Sequence, residues 1–313
     1  MKNIINFFYN LYPETVNNYH NNYYFLYNNK LYILILYDGN INDINNIYEL
    51  NQKMISFNIK VHQIILNKDL TPLSFINNNY YILYNITINN FNKKITLQDI
   101  NYLNSFTPTL SNEILYKDWS ILWANKIDYL EYQINQSGKK YPILVESFSY
   151  FVGMSENAIS YFRNTVHEIK PNNNDIGVIS HKKIKMNDNL FNLYDPTNLI
   201  IDYKVRDIAE YIKNSFFVDN FNIIEELYQH FSKNYYSEIS IRILLSRIIY
   251  PSYYFQIYDS IIKEEIKEEE ILKITSRIDD YELYLYEIFS ILKKIYNIPE
   301  ISWLKKRRFN LPH

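Results

Sequence analysis

The six histidines of the chain, His20, His62, His167, His181, His230 and His313, never fall in the H-x-x-x-H spacing that sets two imidazoles on one helix face for zinc. There is no cysteine, so thiol nucleophiles, disulfides and thiolate metal sites are excluded. The glycines are Gly39, Gly138, Gly153 and Gly177, too scattered for G-x-G-x-x-G or a Walker A loop, whose glycines let backbone N–H groups close around phosphates. The G-x-S-x-G nucleophile elbow is impossible for the same reason. Two short apolar runs end in groups able to do acid–base or metal chemistry, the imidazole of Ile179-Ser180-His181 and the carboxylate of Ile200-Ile201-Asp202.

The elements that must position them follow from pattern. Residues 2–11 suit a short helix. Tyr23–Tyr27 and Leu31–Tyr37 flank Asn28-Asn29-Lys30 as a hairpin. Asn42–Phe57 carries Ile44, Ile47, Leu50, Met54 and Phe57 at helical steps. Val61–Leu66 and Tyr80–Ile86 are further strands, the second after an Asn77-Asn78-Asn79 turn. Residues 89–110 are polar and irregular, as in a linker.

Beyond them the chain reads as helical: Glu113–Gln136, Ile143–Phe162 after Pro142, Arg206–Phe216, Ile223–Phe231, Ile239–Tyr250 and Glu268–Tyr296. Gly177–Ser180 and Leu199–Asp202 stand apart as two short strands, and the charged run Lys263–Lys273 suits a solvated helix face. This predicts an α+β protein of two lobes: residues 1–88 with strands around one helix, and a large helical lobe over 89–313.

Composition sets limits. With 313 residues, 47% hydrophobic and 21% charged, the chain can bury substantial cores. A formal net charge of -2 supplies no basic field, so nucleic acid is not expected as a partner. No apolar run approaches the roughly 20 residues of a membrane span, and the N-terminus lacks a signal-peptide pattern, which makes the cytoplasm the expected compartment. The abundance of Asn, Ile, Tyr and Lys matches the drift of an AT-rich genome.

A small β-rich lobe followed by a helical lobe with two short strands is the plan of kinases. Arg206-Asp207-Ile208-Ala209 resembles the helix start that follows the metal-binding aspartate in aminoglycoside-phosphotransferase-like kinases. The segments W-A-N-K-I-D-Y-L-E-Y-Q-I from Trp123, V-E-S-F-S-Y-F-V-G-M-S-E-N-A-I-S-Y-F from Val145, and D-P-T-N-L-I-I-D-Y-K-V-R-D-I-A-E-Y-I from Asp195 resemble the YutH spore-coat-associated proteins. Those proteins belong with the CotS group in the protein-kinase-like fold. The resemblance covers roughly residues 115–300.

The resemblance places His181 at the histidine of a catalytic H-x-D, and the third position, normally the aspartate base, is Lys183. An ammonium beside Lys182 and near Lys185 is a poor base. Asp202 falls on the metal-ligand aspartate, with Asp188 or Asn189 as a second ligand. The strand lysine that grips phosphate is missing from Leu31–Tyr37, leaving Lys30 at its edge and Lys53 on the helix, and Glu49 has no lysine to pair. Phosphoryl transfer needs phosphates gripped, metal held and a nucleophile oriented, so a degenerate site without cofactor is expected. A lysine such as Lys183 would then neutralise Asp202.

Each residue also has a plain structural reading. His181 suits a histidine bonding its own turn, Asp202 a partner for a nearby cation, and Asp207 an acid at a helix start. Glu146, Glu156 and Asn157 suit buried or interface polar groups, and the tail Lys305-Lys306-Arg307-Arg308 a solvated terminus.

The resemblance implies a non-catalytic pseudokinase that binds protein partners of the spore coat. The competing reading is an active ATP-dependent phosphotransferase using Mg-ATP, with Lys30 or Lys53 on the phosphates and Asp188 with Asp202 on magnesium. For the non-catalytic reading, an exposed aromatic surface is expected from Tyr150–Phe162 and from Tyr250–Phe255 with Tyr258.

Overall fold

The computed structural model describes residues 1–19, 22–88, 92–106, 118–170, 175–184, 189–218 and 222–304. The elements in chain order are α1 (Lys2–Tyr9), β1 (Asn17–Tyr19), β2 (Asn22–Tyr27), β3 (Lys30–Leu36), α2 (Ile44–Ser56), β4 (Gln63–Ile65), β5 (Leu73–Ile76), β6 (Asn79–Asn85) and α3 (Leu97–Asn104). Next come α4 (Trp119–Ser137), α5 (Pro142–Glu168), β7 (Ile176–His181), α6 (Leu190–Leu193), β8 (Leu199–Tyr203) and α7 (Arg206–Phe217). The chain closes with α8 (Ile224–Lys233), α9 (Glu238–Ile249), α10 (Ser252–Ile262), α11 (Leu272–Thr275) and α12 (Ile278–Ile295). Two compact units form, one from Met1–Leu115 with Ile179–Ile201, the other from Tyr116–Val178 with Asp202–His313.

The first unit is built on an antiparallel sheet in the order β1-β2-β3-β6-β4, with β5 also paired to β6. Its two tight hairpins turn through Asn28-Asn29 and Asn77-Asn78, all four with positive φ. Left-handed central residues match the twist of the flanking strands, and asparagine accepts that conformation at low cost. Side chains alternate between the faces. Leu83 joins Ile5, Tyr9, Phe25, Tyr32 and Leu34 under α1, while Ile82 and Tyr84 join Ile44, Ile47 and Ile64 under α2. The expected linker carries a helix instead: Thr96 and Asp99 form a reciprocal capping box that starts α3.

The second unit is helical. Pro142 opens the 27-residue α5. The helix expected from Glu113 begins at Trp119, with Asp118 accepting from Ser120 N, and residues 113–117 lie outside the described set. The helix expected over Glu268–Tyr296 is a 3-10 turn, then α11, then α12. The run Lys263–Lys273 therefore falls mainly on a turn and a 3-10 segment, where Glu264 takes a positive φ. Strands β1 and β5 and helix α10 carry no pattern strong enough to have been expected.

The expected aromatic surface is core. Phe151 stacks on Tyr254 at 3.7 Å between centroids, Trp123 on Tyr250 at 4.5 Å and Phe217 on Tyr253 at 4.0 Å. Tyr250, Tyr253, Tyr254, Phe255 and Tyr258 are all buried, as are Phe151 and Phe162. Their hydroxyls reach acceptors inside: Tyr258 donates to Leu130 O at 3.3 Å, and Tyr254 meets Ser147 at 3.0 Å. A tyrosine with its tip satisfied packs like phenylalanine, so a tyrosine-rich composition fills the interior.

Candidate functional site

In the second unit, β8 ends at Asp202-Tyr203, and after Lys204-Val205 the chain turns into α7 at Arg206. That strand-to-helix turn puts Asp202 and Arg206 side by side, both almost wholly buried. Asp202 Oδ2 accepts a short charge-assisted hydrogen bond from Arg206 Nη1. Asp202 Oδ1 accepts from Tyr203 N at 2.7 Å and from Trp119 Nε1 at 3.1 Å. Both carboxylate oxygens are thus engaged, and the neutralising cation is Arg206 rather than the expected lysine.

Trp119 carries a second cation. Arg206 lies 4.1 Å from its ring centre and Arg247, from α9, 4.7 Å. Among the described residues Arg247 Nε and Nη1 find no hydrogen-bond acceptor, and the aromatic faces support the guanidinium. Burial and the neighbouring Arg206 charge lower its pKa to about 10. Deeper along α7, Lys213 is buried and donates to Glu210 at 2.8 Å and to Ser252 Oγ at 2.6 Å. Asp207 is buried in the first turn of α7.

In the first unit, His181 ends β7, fully buried, with Nε2 2.7 Å from Leu193 O. A carbonyl only accepts, so Nε2 carries the proton. Lys183 is exposed, its backbone N donating to Asn198 Oδ1 at 3.2 Å and its carbonyl accepting from Asn198 Nδ2 at 2.8 Å. Lys182 donates to Thr197 O at 2.8 Å, and burial pushes its pKa down. Asp188 lies outside the described residues, and Asn189 caps α6.

This stretch is fastened within its own unit. His62 N donates to Tyr194 O at 2.9 Å, and its ring nitrogen Nε2 lies 3.1 Å from Phe191 O. Tyr84 donates to Asp195 at 2.7 Å. Burial lowers the His62 pKa to about 4, so the ring is neutral at physiological pH.

The other candidates stay apart from such networks. Lys30 is exposed at the β2–β3 turn opposite Tyr27, and Lys53 sits in the last turn of α2. Glu49 is exposed, and the polar residue on the buried face of α2 is Asn51. Asn51 donates to His62 O at 2.7 Å and accepts from Ile64 N at 3.0 Å, clamping α2 to the chain entering β4. Its place inside the Ile47–Leu50–Met54 stripe was a readable signal. Trp119 and Arg247 gave none, being apolar-stripe and interior-helix residues in sequence.

Comparison with known proteins matches residues 2–288 to the family described as "Spore coat putative kinase YutH". The endospore coat-associated protein YutH of Bacillus subtilis (strain 168) is 28% identical over 210 residues, 60% of this chain and 61% of that protein. The chain therefore spans less than two thirds of the curated relative it matches. Among solved structures, an aminoglycoside phosphotransferase from Alicyclobacillus acidocaldarius superposes with a TM-score of 0.66 at 11% identity, covering 92% of this chain and 94% of that one. The AMP-bound complex of a spectinomycin phosphotransferase follows with 0.59 at 17% identity, covering 87% and 92%. These likenesses establish an aminoglycoside-phosphotransferase-like α+β fold.

Proposed function

The chain belongs to the spore-coat YutH family, and from that membership we propose that it is a non-catalytic kinase-fold protein that binds protein partners in the endospore coat. The observation that carries the non-catalytic half is the state of Asp202. A magnesium ion needs open carboxylate oxygens at roughly 2.0–2.1 Å in near-octahedral geometry. Asp202 has Arg206 on one oxygen and Trp119 with a backbone N–H on the other. A metal there would have to displace a guanidinium and then sit beside two, Arg206 and Arg247. The residues present do not fit Mg-ATP.

Further support comes from Lys183 at the base position and from a third strand that bears its single lysine at the hairpin end. The coat assignment draws on the family and on the Bacillus relative. In this reading the protein is made in the mother-cell cytoplasm and deposited on the forming coat, its partners being coat proteins. No helix among the described residues is long and apolar enough to cross a membrane. The test has two arms: a fluorescent fusion followed through sporulation, and melting of the purified chain with and without Mg-ATP. Coat fluorescence with an unmoved melting temperature is the expected result. A fusion that stays diffuse overturns the coat assignment, and a magnesium-dependent rise overturns the non-catalytic one.

A further inference from the structure

Helix α4 turns large apolar side chains in two directions. Trp123, Ile127 and Leu130 are buried on its inner side. Ile121 and Tyr129, each 53% exposed, and Tyr132, 64% exposed, face solvent together with Leu122. No other helix among the described residues displays more than one large exposed apolar side chain. Single exposed leucines and tyrosines are ordinary, whereas four on one helix face make a patch.

The order of residues along this face is symmetric about a point between Asp128 and Tyr129. Asp118, Ile121, Asn125, Tyr132, Gln136 and Lys139 are all exposed, and steps of three, four and seven residues keep them on one side of the helix. Asp118 stands as far before that point as Lys139 stands after it. Ile121 matches Gln136 in the same way, and Asn125 matches Tyr132. Two copies laid antiparallel on this face bring every residue to its match on the other copy. The acid at one end then meets the lysine at the other, twice over, because a two-fold interface repeats each contact. Tyr129 falls beside the axis, against its own copy.

Both charged ends are open to a partner. Asp118 Oδ1 caps the helix, accepting from Ser120 N at 2.9 Å and from Ser120 Oγ at 2.7 Å, which leaves Oδ2 for another donor. Lys140 pairs with Glu264, whereas Lys139 has no ion pair among the described residues. Lys126, on the shoulder of the face, is already held by Asp259 at 2.7 Å.

We infer that α4 is the contact face of a two-fold dimer of this chain, with Asp118 of each copy paired to Lys139 of the other. This goes beyond the coat reading and does not depend on it. The charge pattern selects the occupant. An apolar middle closed by opposite charges at its two ends complements itself when reversed, while nucleic acid or an anionic bilayer calls for basic charge throughout. One helix pair covers less than the roughly 800 Å² per partner of a standard interface. Asp128 also faces its own copy near the axis, so the dimer is a weak, reversible one.

Sedimentation equilibrium of the full chain, from micromolar to hundreds of micromolar, reads the association. Wild type should pass from monomer to dimer over this range, and a chain that stays monomeric throughout overturns the inference. Tyr132→Glu changes an exposed side chain, so it should keep the melting temperature and weaken association at least about 10-fold. Asp118→Lys and Lys139→Asp should each weaken it by setting like charges against one another, and Lys139→Asp leaves the helix cap untouched. An equimolar mixture of these two variants should dimerise again, because both ends of the mixed pair then join opposite charges. A mixture that associates no better than its components overturns the antiparallel dimer, as does a Tyr132→Glu chain that associates like wild type.

Discussion

Arg206 and Trp119 serve one carboxylate from two sides. The guanidinium lies 4.1 Å from the indole ring centre and pairs with Asp202, while the indole N–H donates to the same aspartate at 3.1 Å. Each contact holds the other two groups in place. The Asp202 carboxylate is a buried anion with a built-in counter-charge.

Arg206→Gln should destabilise the chain by about 3–5 kcal/mol, the usual cost of stranding one member of a buried pair. The double variant Asp202→Asn with Arg206→Gln should lose clearly less than the two single losses combined, because each change removes the other's stranded charge. Urea denaturation of the four proteins measures this coupling. Strict additivity would show that the pair does not hold the site.

Millimolar Mg-ATP should leave the melting temperature of wild type unchanged. A nucleotide at about 100 times its Kd would add about 2.7 kcal/mol, which reads as a rise of a few degrees. Such a rise, dependent on magnesium, would favour the phosphotransferase reading with Lys30 or Lys53 on the phosphates and Asp188 beside Asp202.

Acid should weaken the fold through His62. Burial lowers its pKa from 6.5 to about 4, so the unfolded chain takes up the proton first as pH falls. The contribution is full above about pH 6.5 and is lost between there and about pH 4, by up to about 3 kcal/mol. His230 shifts in the same direction, also through burial. His62→Gln, which can still donate to Phe191 O, should flatten the dependence of the urea midpoint on pH between 7.5 and 4.5. Identical pH profiles for wild type and variant would refute this assignment.

Tyr254→Ser should cost about 3–5 kcal/mol, because it opens a cavity against Phe151 and removes the Tyr254–Ser147 hydrogen bond. A calorimetric melting temperature within a degree of wild type would mean that the ring is not core.

Sequence pattern revealed the β2–β3 hairpin, the asparagine turn before β6, the α2 stripe and the two short strands, because asparagine turns and apolar periodicity are local. Helix α3 was also legible in principle, since Thr96 and Asp99 stand at capping-box spacing inside a stretch that reads as polar. Helix α10 was hidden by its aromatics: Tyr253-Tyr254-Phe255 reads equally as surface or core until its neighbours are known. At the site, resemblance located His181 and Asp202 but gave no sight of what holds them. Arg206 reaches Asp202 across a strand-to-helix turn, and Trp119 reaches it from 83 residues away. His181 bonds a carbonyl 12 residues on, in a stretch with no repeating pattern. Such partnerships follow from tertiary placement and leave no periodic trace.

Helix α9 has eleven of its twelve residues buried, all but Glu238. Its amide hydrogens are shielded along the whole length, and no partial opening that leaves the neighbouring helices in place exposes them. Deuterium uptake there consequently tracks complete unfolding of its unit, whereas exposed turns exchange through local fraying. The helix is an internal gauge: a ligand that binds the folded second unit anywhere slows exchange at α9, even when its footprint is elsewhere.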